Sequence, residues 1–333
     1  MEQSRLVDKK HISGVVLQVS PADRNPAAFD RQGGEMAQHV VMTVSGTFAN
    51  MWDQTPPQPA AVANALPGVA TGNSGPFYWQ PVGNYPAAPF PMGPSVDDGV
   101  QELIRLVNDE YPPGNPVGQG IILLGYSQGA IVVSHFMRDH VVNPSGECHD
   151  RWPDIIAVAT WGNPCRTPGF ASGNDFAGWP DPGEVDGVVT GGIAGPDDLE
   201  PSVYVPVSKT VTHYWGEFVN TIGDGNDLYA DCPVGSNPWT AEAATGVVET
   251  NIYNIVQNVT VADIFQIILE VIGVIATAGL ELIPIIEAII NGGLFVQAGP
   301  NAPHYTYDIV PITNFIALAG SETQPYVSSG NLA

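Results

Sequence analysis

The feature that most constrains this chain is the join between an apolar run and a helical pattern around residue 127. Ile121-Ile122-Leu123-Leu124 is a continuous apolar segment, and Ala130-Ile131-Val132-Val133-Ser134-His135-Phe136-Met137 continues as a helical one. Between them stands Gly125-Tyr126-Ser127-Gln128-Gly129. A Gly-x-Ser-x-Gly pentapeptide alone says little. Placed between a strand and a helix it becomes a tight turn that lifts the serine hydroxyl clear of a sheet, its glycines letting strand and helix close in. The N-terminus of the helix that follows also favours negative charge developing nearby. This junction predicts an α/β domain with Ser127 as a nucleophile.

Other segments agree. Val40-Val41-Met42-Thr43-Val44, Ile155-Ile156-Ala157-Val158-Ala159 and Val203-Tyr204-Val205-Pro206-Val207 read as strands of a parallel sheet covered on both faces. A helix is expected before Ile121, with Ser95 and Asp98 as a capping box and Val96, Val100, Leu103 and Val107 on one face. Gly and Pro clusters at 111–119 and 164–197 read as loops. The alternation of strand and helix implies a mostly parallel central sheet.

Composition narrows the function classes. A chain of 333 residues can bury one large core and a second small module. A net charge of −24 argues against nucleic acid as a partner, because phosphate binding needs clustered Lys and Arg. It argues equally against simple attraction to an anionic membrane. Half of the ten basic residues (Arg5, Lys9, Lys10, Arg24 and Arg31) lie in a polar, charge-balanced arm of residues 1–37, read as an N-terminal extension. The first residues lack the apolar core of a secretory signal. Cys148, Cys165 and Cys232 do not have zinc-site spacing, so no metal is expected, and no cofactor motif occurs. One disulfide with a spare thiol and three reduced buried thiols both remain open.

Residues 233–300 differ from the rest. Thr260 to Asp263 can cap a helix that Ile264, Phe265, Ile267, Ile268, Leu269, Val271 and Ile272 make apolar nearly all round. A second apolar stretch runs from Val274 to Ile290. Glu270, Glu281, Pro284 and Glu287 interrupt every window of the roughly 20 apolar residues a membrane span needs. The segment is therefore expected to form a helical insertion, with 38–232 and 301–333 as the catalytic domain. Its chain ends return to the active site. Ile264, Ile268, Leu280 and Ile286 are thus expected to face an acyl chain, as is Phe48 on the turn after the first strong strand.

A serine nucleophile needs a base. Of seven histidines, His11 and His39 precede the elbow, and His135, His140 and His149 follow it too closely for the order Ser, Asp, His. His304, in a loop just before a C-terminal helical pattern (Tyr305 to Leu318), is preferred over His213, which sits within the expected strand Val211-Thr212-His213-Tyr214-Trp215. The orienting acid should lie between them, and Asp224, Asp227 and Asp231 are all available. Gln128 N–H is the expected first oxyanion donor, and the second should come from Ser45-Gly46-Thr47-Phe48.

Gly-Tyr-Ser-Gln-Gly at 125–129, Asp227-Leu228-Tyr229 ahead of Cys232, and Pro303-His304 with Tyr307 resemble the cutinase superfamily of α/β-hydrolases. That register selects Asp227, and the matching oxyanion residue is Thr47. Here 77 positions separate Asp227 from His304, where cutinases have only a short stretch. A cutinase-like core split at this point by a helical linker resembles the mycobacteriophage lysin B family, over most of residues 38–320. The resemblance includes Ser45-Gly46-Thr47, Tyr85-Pro86-Ala87 and Trp161-Gly162-Asn163-Pro164.

The resemblance implies a lipolytic serine esterase that cleaves the ester between mycolic acids and arabinogalactan during host lysis. Such an enzyme is made in the host cytoplasm without a signal peptide, acts on the cell envelope, and is expected to be a monomer. The first 37 residues are too short for the peptidoglycan-binding domain that some members carry. The alternatives are a cellular cutinase, lipase or PE-PPE-type hydrolase of lipid esters, and a non-catalytic envelope-binding protein on the same fold.

Overall fold

The computed structural model describes residues 38–89, 92–115, 120–185, 187–194, 214–221, 227, 229–235, 253, 257 and 303–322. Five strands form one parallel sheet: β1 (His39–Val44), β2 (Phe77–Pro81), β3 (Gly120–Tyr126), β4 (Ile155–Trp161) and, after a short antiparallel hairpin of β5 (Glu184–Val185) with β6 (Val188–Val189), β7 (Tyr214–Phe218). Their order is β2-β1-β3-β4-β7. The winding reverses between β1 and β3, so the crevice beyond the carboxyl ends of these two strands is where an α/β sheet offers a ligand site.

The apolar runs became strands because both faces of the sheet are covered, as their lack of alternation predicts. Val40, Met42 and Val44 of β1 and Ile121 and Leu123 of β3 join one core. That core includes Val96, Val100 and Leu103 of α2 (Met92–Arg105) and Ile131, Val132 and Val133 of α3 (Gln128–His135). The intervening residues Val41, Ile122 and Leu124 face the other core. It is closed by Ala60, Val62 and Ala63 of α1 (Pro59–Ala65) and by Ile312, Phe315, Ile316 and Ala319 of α5 (Ile309–Glu322).

Five details differ from the sequence reading. Strand β2 went unread: Phe77, Trp79 and Pro81 are buried, alternating with half-buried Tyr78 and Gln80, as suits an edge. Helix α2 starts at Met92, so Ser95 lies inside its first turn and forms no capping box; its hydroxyl accepts the Ala88 N–H at 3.0 Å instead. The loop region 164–197 contains α4 (Ser172–Ala177) and the hairpin. Helix α5 begins at Ile309, not Tyr305, where Asp308 Oδ1 accepts the Val310 N–H at 2.9 Å. Of the strand expected at 211–215, Tyr214 and Trp215 lie in β7, which runs to Phe218; 211–213 lie outside the described residues.

All three cysteines are buried and none is in a disulfide. Among the described residues no helix is long and apolar enough to cross a membrane. The strand expected at 203–207 lies outside the described residues, as do the arm 1–37 and the insertion apart from 233–235, Tyr253 and Gln257. Tyr253 is buried in the first core, and Gln257 brings its carbonyl against Gly93 at the start of α2.

Candidate active site

β3 delivers the elbow. Tyr126 ends the strand, Ser127 turns at φ +55° and ψ −123°, and α3 begins at Gln128. A non-glycine residue at positive φ is strained and is kept only where its surroundings fix it. Here the Ser127 N–H donates to the Trp161 carbonyl at 3.1 Å, and its own carbonyl accepts from Ala130 at 2.9 Å and Ile131 at 3.2 Å. Gly129 is required by close approach: a Cβ there would collide with the Val44 carbonyl at the end of β1. The elbow is thereby pressed against the β1 terminus.

His304 comes from a 3₁₀ turn, Pro303–Tyr305, just ahead of α5. Its Nε2 lies 2.9 Å from Ser127 Oγ. Its Nδ1 lies 2.9 Å from both Asp227 Oδ1 and Oδ2. A carboxylate only accepts, so Nδ1 carries the proton and Nε2 is left to accept from the serine hydroxyl. Ser127, Asp227 and His304 are 4%, 1% and 4% exposed, which leaves little water to compete.

Aromatic rings surround the imidazole. Tyr126 stacks on it at 5.1 Å, and Tyr229 and Tyr305 meet it edge-on at 4.6 and 5.4 Å. The Tyr126 hydroxyl donates to the His304 carbonyl at 2.7 Å. Asp227 receives two further bonds, from the Tyr307 hydroxyl to Oδ2 at 2.6 Å and from the Tyr229 N–H to Oδ1 at 3.1 Å. Burial, reinforced by the Asp227 charge, raises the Tyr126 and Tyr307 hydroxyls well above their usual range. Both therefore stay protonated donors at neutral pH.

Thr47 follows β1 in a tight turn. Gly46 N–H donates to Gln58 Oε1 at 3.0 Å, Phe48 N–H to the Ala87 carbonyl at 2.9 Å, and Ala49 N–H to the Gly46 carbonyl at 3.2 Å. Thr47 Oγ1 is buried with no hydrogen-bond partner among the described residues. Gln128, first in α3, has an N–H with no acceptor inside its helix, and its side chain is tied to the Ala88 carbonyl at 3.0 Å. Phe48 is 54% exposed and held at φ +66°.

Asp231 does not join this cluster. It is buried beside Arg166, whose NH2 group is 3.7 Å from its Oδ1. His213, Asp224, Ile264, Ile268, Leu280 and Ile286 lie outside the described residues. Asn220 and the hydroxyl of Tyr307 were missed as site residues, although Tyr307 belongs to the motif quoted above. Among the described residues no group of three His, Cys, Asp or Glu side chains is placed to hold a metal ion.

No protein-family model matches the chain. It is similar to endolysin B of Mycobacterium phage L5, 45% identical over 100 residues covering 30% of this chain and 39% of that one. Endolysin B of Mycobacterium phage D29 is 43% identical over the same shares. The aligned part is thus about two fifths of these relatives' length. The fold is similar to the crystal structure of lysin B from Mycobacteriophage D29, with a TM-score of 0.55 at 28% identity. That match covers 84% of this chain and 99% of the other. The fold is an α/β-hydrolase, with its serine turn at the reversal point of the sheet.

Proposed function

We propose that the protein is a serine esterase of the lysin B type that cleaves the ester joining mycolic acids to arabinogalactan during phage-mediated lysis. The observation that carries this reading is the unbroken chain from Ser127 Oγ through His304 to Asp227, with 2.9 Å contacts on both sides of the imidazole. Similarity to endolysin B supports the substrate class.

Ser127 Oγ attacks the acyl carbonyl while His304 Nε2 takes its proton, and Asp227 orients the imidazole and stabilises its positive charge. The N–H of Gln128, with Thr47, receives the oxyanion; the unpartnered Thr47 hydroxyl supports that role. The imidazolium then protonates the departing sugar oxygen, leaving an acyl-serine. Water, deprotonated by the same histidine, attacks this ester; the acyl–Oγ bond breaks, the imidazolium returns its proton to Ser127 Oγ, and the fatty acid leaves. Phe48 meets the apolar acyl chain, a role that its exposure on the turn with Thr47 supports. The insertion, through Ile264, Ile268, Leu280 and Ile286, supplies further apolar contact, and the enzyme acts at the cell envelope as a monomer.

The test is incubation with purified mycolyl-arabinogalactan. The native protein should release free mycolic acids, and Ser127→Ala should release none. Hydrolysis of simple lipid esters without release of mycolic acids would point to a general lipid esterase instead.

A further inference from the structure

Asp227 and His304 are 77 residues apart in the chain, yet both are tied to one point of the sheet. That point is Asn220, two residues beyond the end of β7 and 7% exposed. Its carbonyl accepts the Asp227 N–H at 3.1 Å. Its carboxamide donates to the Pro303 carbonyl at 2.8 Å and to Thr306 Oγ1 at 3.0 Å, gripping the turn that carries His304 from both sides. Its own N–H donates to the Tyr307 hydroxyl oxygen at 3.1 Å, and that hydroxyl donates to Asp227 Oδ2 at 2.6 Å. The bonds close a ring from Asn220 to the acid, from the acid to Tyr307, and back.

A carboxylate turns easily about its last side-chain bond, whose torsional preference is broad. A single donor to one oxygen would leave Asp227 free to rotate away from the imidazole. Two fixed donors, Tyr229 N–H on Oδ1 and Tyr307 Oη on Oδ2, define its plane. In that plane both oxygens lie 2.9 Å from His304 Nδ1. We infer that Tyr307 and Asn220 are positioning residues that reference both the acid and the base to the end of β7 and so hold the Asp227–His304 pair in register. The inference rests on the reading of Ser127, Asp227 and His304 as a catalytic triad.

Tyr307→Phe removes only the hydroxyl and keeps the ring that packs near Tyr126 and Trp179. On a chromogenic butyrate ester, kcat should fall about 10- to 100-fold with KM within about twofold, because misplacing a catalytic pair costs rate before affinity. The melting temperature should fall by only a few degrees, the cost of the buried Asn220 N–H losing its acceptor, and kcat is expressed per active site titrated with a fluorophosphonate. Asn220→Ala, which deletes only the carboxamide bonds, should give the same split with a smaller loss. The double variant should lose less than the product of the two, since both act on one geometry.

Wild-type kcat in Tyr307→Phe would overturn the inference. So would a fall in melting temperature with kcat per titrated site unchanged, which is what a purely structural role predicts. Should Tyr307→Phe fail to fold, the kcat and KM of Asn220→Ala decide the question by the same criterion. Ser127→Ala run in parallel separates the two readings. Wild-type turnover in that variant would sink the triad and the inference with it. A dead Ser127→Ala beside an unimpaired Tyr307→Phe would sink the inference alone.

Discussion

Replacing Gly162 by alanine would press one methyl group between His304 and Asp227. Gly162 follows the last residue of β4 at φ +55°. An ideal Cβ there would lie 2.9 Å from His304 Cε1, 3.1 Å from Nδ1 and 3.2 Å from Asp227 Oδ2. Carbon atoms settle at about 3.5–4.0 Å, so the imidazole would have to retreat by at least about 0.6 Å. Retreat is blocked on other sides, because Tyr126 stacks on the ring at 5.1 Å and Tyr229 meets its edge at 4.6 Å. The shift must then lengthen either the 2.9 Å contact to Ser127 or those to Asp227.

A misplacement of about 1 Å costs on the order of 100-fold in rate, so a loss of about 10- to 100-fold in kcat is expected, with KM little changed. The left-handed backbone adds roughly 1–2 kcal/mol of destabilisation for any residue with a Cβ, visible as a lower melting temperature. Steady-state hydrolysis of a chromogenic ester, with active sites titrated by a fluorophosphonate, reads the first effect, and thermal denaturation the second. Wild-type kcat in Gly162→Ala would refute the placement of the pair beside β4.

Three further outcomes are expected. Asp227→Asn should cost about 10⁴-fold in kcat through loss of imidazole orientation. Asp231→Asn should instead lower stability and spare kcat, because its partner is the buried Arg166; equal kinetic losses would contradict the assignment of the acid. Phe48→Gly should leave the melting temperature unchanged or raised, since glycine tolerates φ +66°. The same variant should cut kcat/KM for long-chain esters about tenfold while sparing acetate, an effect of the size of partial side-chain burial, and equal losses on both would remove Phe48 from the acyl site. Burial pushes Glu217 up to about 7 from 4.5, so the folded state holds a proton that the unfolded state releases as pH rises from 4.5 towards 7. Stability is lost across that window, and the melting-temperature advantage of Glu217→Gln over the native protein should grow from pH 5 to pH 8. An advantage independent of pH would refute the titration.

How far the fold could be read ahead depended on whether the deciding contacts were local. Ile121 to Leu124 and Val40 to Val44 read as strands because both their faces are buried and so every residue but Thr43 is apolar. Phe77–Pro81 has one half-exposed face, a polar Gln80 and a closing proline, which suit an edge strand but leave no run to see. Ser95 and Asp98 have the spacing of a capping box. The hydroxyl of Ser95 is taken by Ala88 across a loop, a tertiary contact that no local pattern reveals.

The same division runs through the site. Ser127 and its turn are specified by five consecutive residues and by the end of β1 against which they close, so the elbow was legible from the sequence. Asp227 was not separable from Asp224 and Asp231 by residue type or spacing, and the choice needed a family pattern. In the structure the surroundings of Asp227 come from Asn220, Tyr229, His304 and Tyr307, the last two of which are 77 and 80 residues away in the sequence. An acid held by four partners from two separate segments leaves no local signature. What it does leave is a requirement that both segments end at the same place, and the end of β7 meets it: Asn220 bonds to the Asp227 backbone on one side and to Pro303, Thr306 and Tyr307 on the other. One strand end and one tyrosine thus tie Asp227 to the turn that carries His304.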